Sequence, residues 1–381
     1  MTTSGVKTAL VLSGGGARAA YQVGVLKAIR ELMPNKTRNP FPILVGTSAG
    51  AINAAVLAAN SQDFGRAVDG VVNVWENFHA DQVYRADALG VAITAARWLG
   101  TLMFGWLLPG HLAPRSLLDN APLRQLLSHK FKAARIADAI ESQALHALSV
   151  TCSGYNSGQS VSFFQGRADI ESWQRTQRVG AHVTLGVEHL MASSAIPFIF
   201  PAVKLHREYF GDGSMRQLAP ISPAIHLGAE KVLVVGAGRM AQESERPHVE
   251  GYPSLAQVAG HTLSSIFLDS LWMDIERMGR INQTLALIPE EKRTTGSGLR
   301  PIDVLVISPS ERLDHLAAKH ASSLPRPVRV LLRSIGAMNR NGGALTSYLL
   351  FEPAYTCALI DLGYNDAMAR KEEVLAFLTN S

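Results

Sequence analysis

Apolar and polar positions fall into blocks from the start of the chain. Thr8 to Leu12 is an apolar run that predicts a short buried strand, and Ser13-Gly14-Gly15-Gly16 breaks it with a turn. From Arg18 to Met33 the apolar residues Val23, Leu26, Ile29 and Met33 recur at spacings of 3, 3 and 4, which predicts a helix ended by Pro34. A polar loop from Pro34 to Pro42 leads into a second strand-like run that includes Phe41, Ile43, Leu44 and Val45. Ala51 to Ala59 then reads as a helix. Two strand–turn–helix units within the first 60 residues imply a parallel, doubly wound start.

Further along, Ser149 to Ser153 and Val161 to Phe164 predict strands around a Gly154–Gly158 turn. Leu190 to Val203 is rich in small and apolar residues. Val203 to Phe210 alternates as a single strand that ends at Gly211-Asp212-Gly213-Ser214. Lys231 to Gly236 and Asp303 to Ile307 predict two more strands, Gly260 to Leu287 one long helix, and Asn365 to Leu378 a closing helix. Polar loops are expected over 240–254 and 289–301. Val328, Leu331, Leu332 and Ile335 share one helical face, with Arg326, Arg329, Arg333 and Arg340 elsewhere. That pattern describes either a solvated helix face or a contact with an anionic membrane. Residues 88–108 form the most apolar stretch. Arg97 near its middle and three glycines argue against a membrane span. Trp98, Phe104 and Trp106 suit a lid, an interface-seeking helix or a core helix.

Composition narrows the class. A chain of 381 residues with 47% apolar and 18% charged residues is globular and can bury a large core. Its formal charge of +5 suits an anionic surface and is too small to argue for nucleic acid. Two cysteines, Cys152 and Cys357, offer no disulfide framework, which points to a reducing compartment. The short apolar run before Gly14 fits no signal peptide, and no H-E-x-x-H or Cys-rich spacing offers a metal site. The expected localisation is cytoplasmic, with peripheral membrane association.

Three places carry chemistry. Gly46-Thr47-Ser48-Ala49-Gly50 lies between a predicted strand and a predicted helix. In that context a G-x-S-x-G motif presents its serine on a sharp turn, at a helix N-terminus that favours a developing alkoxide. The plainer reading is a Gly/Ser-rich turn feeding a buried helix. The Gly14–Gly16 turn has three readings: a dinucleotide cradle, a tight turn, or an oxyanion hole built from exposed N–H groups. Against the cradle, Ala19 stands at the third glycine position and Val45 where an acid would hold a ribose. Asp212 between two glycines is either an ordinary Asp-Gly turn or a carboxylate held near backbone donors.

Together, in this order and spacing, these pieces resemble the patatin-like phospholipases, a family of lipid acyl hydrolases. Gly14-Gly15-Gly16-Ala17-Arg18 resembles the family's oxyanion motif, Gly46 to Gly50 its nucleophile elbow, and Asp212-Gly213-Ser214 its D-G-G/A motif. Ala19 and Ser214 depart from the pattern, where glycine, and glycine or alanine, are usual. The resemblance implies a three-layer α/β/α fold with a mostly parallel central sheet. It also implies a Ser48–Asp212 catalytic dyad, with the Gly14, Gly15 and Gly16 N–H groups as oxyanion hole and Arg18, Gly46, Gly50 and Gly213 in support, and no cofactor. The implied substrate is a lipid ester, with membrane contact through 88–108 and 326–340. Residues 1–240 are expected to form the core, with an apolar insertion at about 85–115, and 241–381 to complete or cap the same domain. The alternatives are an α/β-hydrolase with a Ser–His–Asp triad, a nucleotide-binding module, and a non-catalytic lipid-binding protein on the same fold.

Overall fold

Ten strands form one sheet in the computed structural model, which describes residues 6–87, 116–239, 254–289, 299–334, 336–338 and 343–379. The apolar stretch 88–108, most of the two predicted polar loops, Ile335 and Arg340 lie outside the described residues. The strands are β1 (Thr8–Leu12), β2 (Ile43–Thr47), β3 (Ala147–Gly154), β4 (Ser160–Gly166), β5 (Trp173–Arg175), β6 (Arg178–His182), β7 (Val203–Leu205), β8 (Glu208–Asp212), β9 (Lys231–Val235) and β10 (Asp303–Ile307). Their order is β10-β9-β1-β2-β3-β4-β6-β5. The β10-β9-β1-β2-β3 block is parallel throughout, and β8 pairs antiparallel with the end of β3.

The helices are α1 (Ala20–Leu32), α2 (Ala49–Ala59), α3 (Phe64–Glu76), α4 (Ala121–Lys130), α5 (Ala134–Glu141), α6 (Val187–Ser193), α7 (Ser222–His226), α8 (Leu255–Ser264), α9 (Ser270–Ala286), α10 (Leu313–His320), α11 (Arg326–Ser334), α12 (Gly343–Leu349), α13 (Pro353–Ala369) and α14 (Lys371–Thr379). β1, β2 and β9 are buried at every residue because helices cover both faces of the sheet. The period of two divides their side chains. Leu10, Leu12, Leu44 and Leu233 join the core of α1, α2, α3, α6 and α13, while Ala9, Val11, Ile43 and Val234 meet α7 and α9. The result is a three-layer α/β/α fold. Among the described residues, no helix is long and apolar enough to cross a membrane.

Three elements differ from the pattern-based expectation. Residues 203–210 are a hairpin, not one strand. His206 turns the chain with φ 52, and Val203 pairs with Phe210 and Lys204 with Tyr209. The two adjacent polar residues His206 and Arg207 interrupt the alternation at that turn. The long helix begins at Leu255, five residues early, where Ser254 and Gln257 form a capping box, and it contains a π-turn over Ser265–Asp269. The closing helix is two helices, α13 and α14, because Arg370 leaves the helical region at φ −112 and ψ 27. Its guanidinium binds Glu373 and the Val306 carbonyl.

α1 lies against α13 with almost no gap. A Cβ on Gly24 would sit 1.9 Å from the Ile360 carbonyl oxygen, and one on Gly363 would sit 2.1 Å from that of Tyr21. The obstacle is backbone on both sides, so no side chain can swing away. Gly24→Ala is expected to lower unfolding free energy by about 1–3 kcal/mol through overpacking. Denaturant unfolding with an unchanged m-value would show it. A variant as stable as wild type would mean that the two helices separate at little cost.

Candidate active site

β1 has β2 on one side and β9 on the other, so the connections diverge beyond its C-terminal end. In open α/β sheets that point is where ligands bind. The Gly-rich turn follows β1 there and Ser48 follows β2. Register supplies the third piece. Thr47 pairs with Thr151 on β3, and the next residue, Cys152, pairs with Asp212 on β8. Two adjacent ladders thus carry Ser48 and Asp212 to the same edge, although 163 residues separate them in the chain.

Ser48 is the N-cap residue of α2, with φ 56 and ψ −131. A non-glycine residue held there costs of order 1–3 kcal/mol, which the surrounding ladders and helix must offset. Its hydroxyl does not cap α2. The flanking glycines are required by close approach. A Cβ on Gly46 would sit 2.4 Å from the Ala51 Cα, and one on Gly50 would sit 2.4 Å from the Leu12 carbonyl oxygen. The elbow is therefore wedged against the end of β1.

Asp212 is fully buried. Oδ1 accepts the Ser214 N–H at 2.9 Å, and Oδ2 makes no hydrogen bond within ordinary limits. Burial raises the carboxyl to about pKa 6, against the opposing pull of the Ser48 hydroxyl and of the Ser214 N–H and hydroxyl, which favour the charged form. The serine at position 214 thus adds a stabilising hydroxyl beside the carboxylate. Gly213 is confined like the elbow glycines, since a Cβ there would sit 2.1 Å from the Thr151 carbonyl oxygen. Burial, and then the Asp212 charge, hold the neighbouring Cys152 thiol well above its usual range, so it is no nucleophile.

In the Gly-rich turn, Gly16 has φ 53, and a Cβ there would sit 2.3 Å from the Tyr348 carbonyl oxygen. Among the described residues, the N–H groups of Gly14, Gly15 and Gly16 have no hydrogen-bond acceptor. Ser13 anchors the turn, its Oγ accepting the Ala237 N–H at 2.9 Å and its carbonyl the Gln22 amide at 2.7 Å. Arg18 packs against α12. Buried, it lies 4.0 Å over the Tyr348 ring and donates to Ser347 Oγ at 2.8 Å, which ties the turn to α12. Gly16 and Ser48 share the head of an apolar pocket that runs along α2 past Ile52 to Val56, about 12 Å at helical rise. Trp75, Phe78 and Phe351, packed with ring centroids 5.2–6.2 Å apart, form its wall. Gly14 faces the other way, against Ser214.

Residues outside the three motifs support the site. Gln22 and Asn53, both buried, join the Ser13 carbonyl to the Trp75 indole through bonds of 2.7, 3.1 and 2.9 Å. Each was visible as a lone amide inside an apolar helix. Ser193 accepts the Ser48 N–H at 2.9 Å, and only the run of small residues around it hinted at a close approach. Among the described residues, no histidine hydrogen-bonds Ser48 or Asp212.

A mostly parallel sheet flanked by helices, with a strained serine turn beside a buried aspartate, places the chain among mixed α/β proteins. The chain belongs to the patatin-like phospholipase family, whose model matches residues 10–225. A cGAMP-activated phospholipase of Pseudomonas aeruginosa is 27% identical over 216 residues, which are 55% of this chain and 53% of that protein. The chain thus spans about half the length of that curated relative. Among solved structures, VipD from Legionella pneumophila aligns over 97% of this chain and 67% of its own at 13% identity, with a TM-score of 0.36.

Proposed function

We propose that the chain hydrolyses acyl esters of phospholipid or lysophospholipid, with Ser48 as nucleophile and Asp212 as base. One observation carries this reading: the uncapped hydroxyl of a strained Ser48 faces a buried Asp212 carboxylate at the head of an apolar pocket. Ser48 Oγ attacks the ester carbonyl while its proton passes to Asp212. The charge on the carbonyl oxygen is met by N–H groups of the Gly14–Gly16 turn and by the N-terminus of α2. As the carbonyl re-forms, the ester C–O bond breaks and the leaving alcohol takes the proton from Asp212. Water then gives a proton to Asp212 and its hydroxyl oxygen to the acyl carbon; the Ser48 Oγ–acyl bond breaks, Ser48 Oγ takes the proton back from Asp212, and fatty acid leaves.

The pocket along α2 takes the acyl chain, and each methylene buried there contributes about 0.8 kcal/mol to binding. The lack of a histidine partner for Ser48 or Asp212 among the described residues favours this dyad over a triad. β10 pairs with β9, which supports 241–381 as part of the same domain. α11 buries Val328 and Leu332 and exposes Arg326, Val330 and Arg333, a face suited to anionic lipid headgroups.

The test is turnover of p-nitrophenyl esters of increasing chain length and of a mixed phospholipid panel, with a fluorophosphonate probe to mark the nucleophile. Turnover with probe attached at Ser48 is expected. A folded wild-type chain that is inert on every ester and unlabelled would overturn the reading.

A further inference from the structure

The turn that ends α6 hydrogen-bonds the backbone of both Ser48 and Asp212. Ser193 is fully buried; its Oγ accepts the Ser48 N–H at 2.9 Å and donates to the Thr151 carbonyl at 2.6 Å. Two residues later, the Ala195 carbonyl accepts the Asp212 N–H at 2.9 Å. Ser194, between them, lines the apolar pocket beside Ser48. One turn of chain is therefore bonded to the backbone of the nucleophile, to the backbone of the base and, through Thr151, to the strand between them.

The Ser48 N–H has need of such a partner. The β2–β3 ladder ends at the Thr47–Thr151 pair, and Ser48, as the N-cap residue, gives its N–H to no bond of the following helix. Without Ser193 Oγ that N–H would be buried and unpaired, and the elbow would lose a bond that opposes its relaxation. The Ala195 carbonyl does the same for Asp212 from the same turn, so any shift of the turn moves both groups in step.

We propose that Ser193 is a positioning residue: it holds Ser48 in its reactive backbone conformation and, together with the Ala195 carbonyl, sets the spacing between Ser48 and Asp212. The inference rests on the reading of those two residues as nucleophile and base. Since a misplacement of 1 Å in a reacting group can cost about a hundredfold in rate, the bond should be visible in kinetics.

Ser193→Ala, Ser193→Thr and Ser193→Cys are compared with wild type for kcat, KM, the rate of fluorophosphonate labelling at Ser48 and melting temperature. For Ser193→Ala, kcat and labelling rate should fall together by about 10- to 100-fold with KM within about twofold of wild type. Ser193→Thr, which keeps the hydroxyl, should recover most of the loss. Ser193→Cys, a poor acceptor of similar size, should lie between them and supplies the measurement if the alanine variant does not fold. A purely structural role would lower the melting temperature and leave kcat and labelling of the folded fraction at wild-type values, and that result overturns the proposal. A wild-type chain that neither turns over esters nor labels at Ser48 removes the hydrolase reading and this inference with it. Wild-type turnover alongside an unaffected Ser193→Ala removes the inference alone.

Discussion

Ser48→Ala and Asp212→Asn are each expected to lower kcat on a lipid ester by at least about a thousandfold, a rise of about 4 kcal/mol in the barrier, while leaving the fold intact. Ser48 Oγ caps no helix, and the N–H that binds Ser193 survives in alanine, so that substitution removes the nucleophile and little else. In Asp212→Asn the amide oxygen can still accept the Ser214 N–H, but an amide cannot take the proton from Ser48. The two losses should not add, because a nucleophile without a base and a base without a nucleophile fail at the same step. Ester turnover on folded protein, with circular dichroism as the check, decides the matter. If Asp212→Asn keeps wild-type activity, the proton goes elsewhere and the dyad is wrong. If Ser48→Ala keeps it, the elbow is only a turn.

How much of this was legible before the structure depended on the range of the contacts involved. β1, β2 and β9 appeared as apolar runs close to their observed bounds, because strands buried on both faces leave a continuous apolar signal, and β10 did so although it is a partly exposed edge strand. The elbow was legible since Gly46, Ser48 and Gly50 sit together in the chain, and the glycines proved necessary for backbone approach. Asp212 was different. As an isolated residue it matched any Asp-Gly turn, and only the family pattern singled it out. The register that delivers it to Ser48 runs through Cys152 and Thr151, which carry no local mark of that role. The break at Arg370 was missed because the amphipathic pattern runs on across a change in backbone direction, and the hairpin at His206 because the only local mark of its turn is the short polar interruption at His206 and Arg207. Arg18 was read as a motif residue without a stated contact. Its place over Tyr348, 330 positions later, depends on how the C-terminal helices pack.

The buried base carries a cost with opposite signs for activity and stability. Burial raises Asp212 from its ordinary 3.8 to about 6. As a base it must be ionised, so kcat/KM should fall about tenfold per pH unit below about 6 and level off above it. For stability, the folded protein holds this proton more tightly than the unfolded chain. Below about pH 4 both states are protonated and burial of the group carries no charge penalty. As pH rises from about 4 to about 6 the unfolded chain ionises first, and stability falls by about 3 kcal/mol before it levels off. Asp212→Asn cannot ionise, so it should be more stable than wild type by up to about that amount at pH 8, with the advantage gone near pH 4. Denaturant unfolding of both proteins across that range tests the stability half, and the pH–rate profile of wild type tests the other. Equal stabilities at pH 8 together with a flat rate profile down to pH 5 would mean that Asp212 ionises with an ordinary pKa. It would then be neither strained by burial nor tuned to take the Ser48 proton near neutrality.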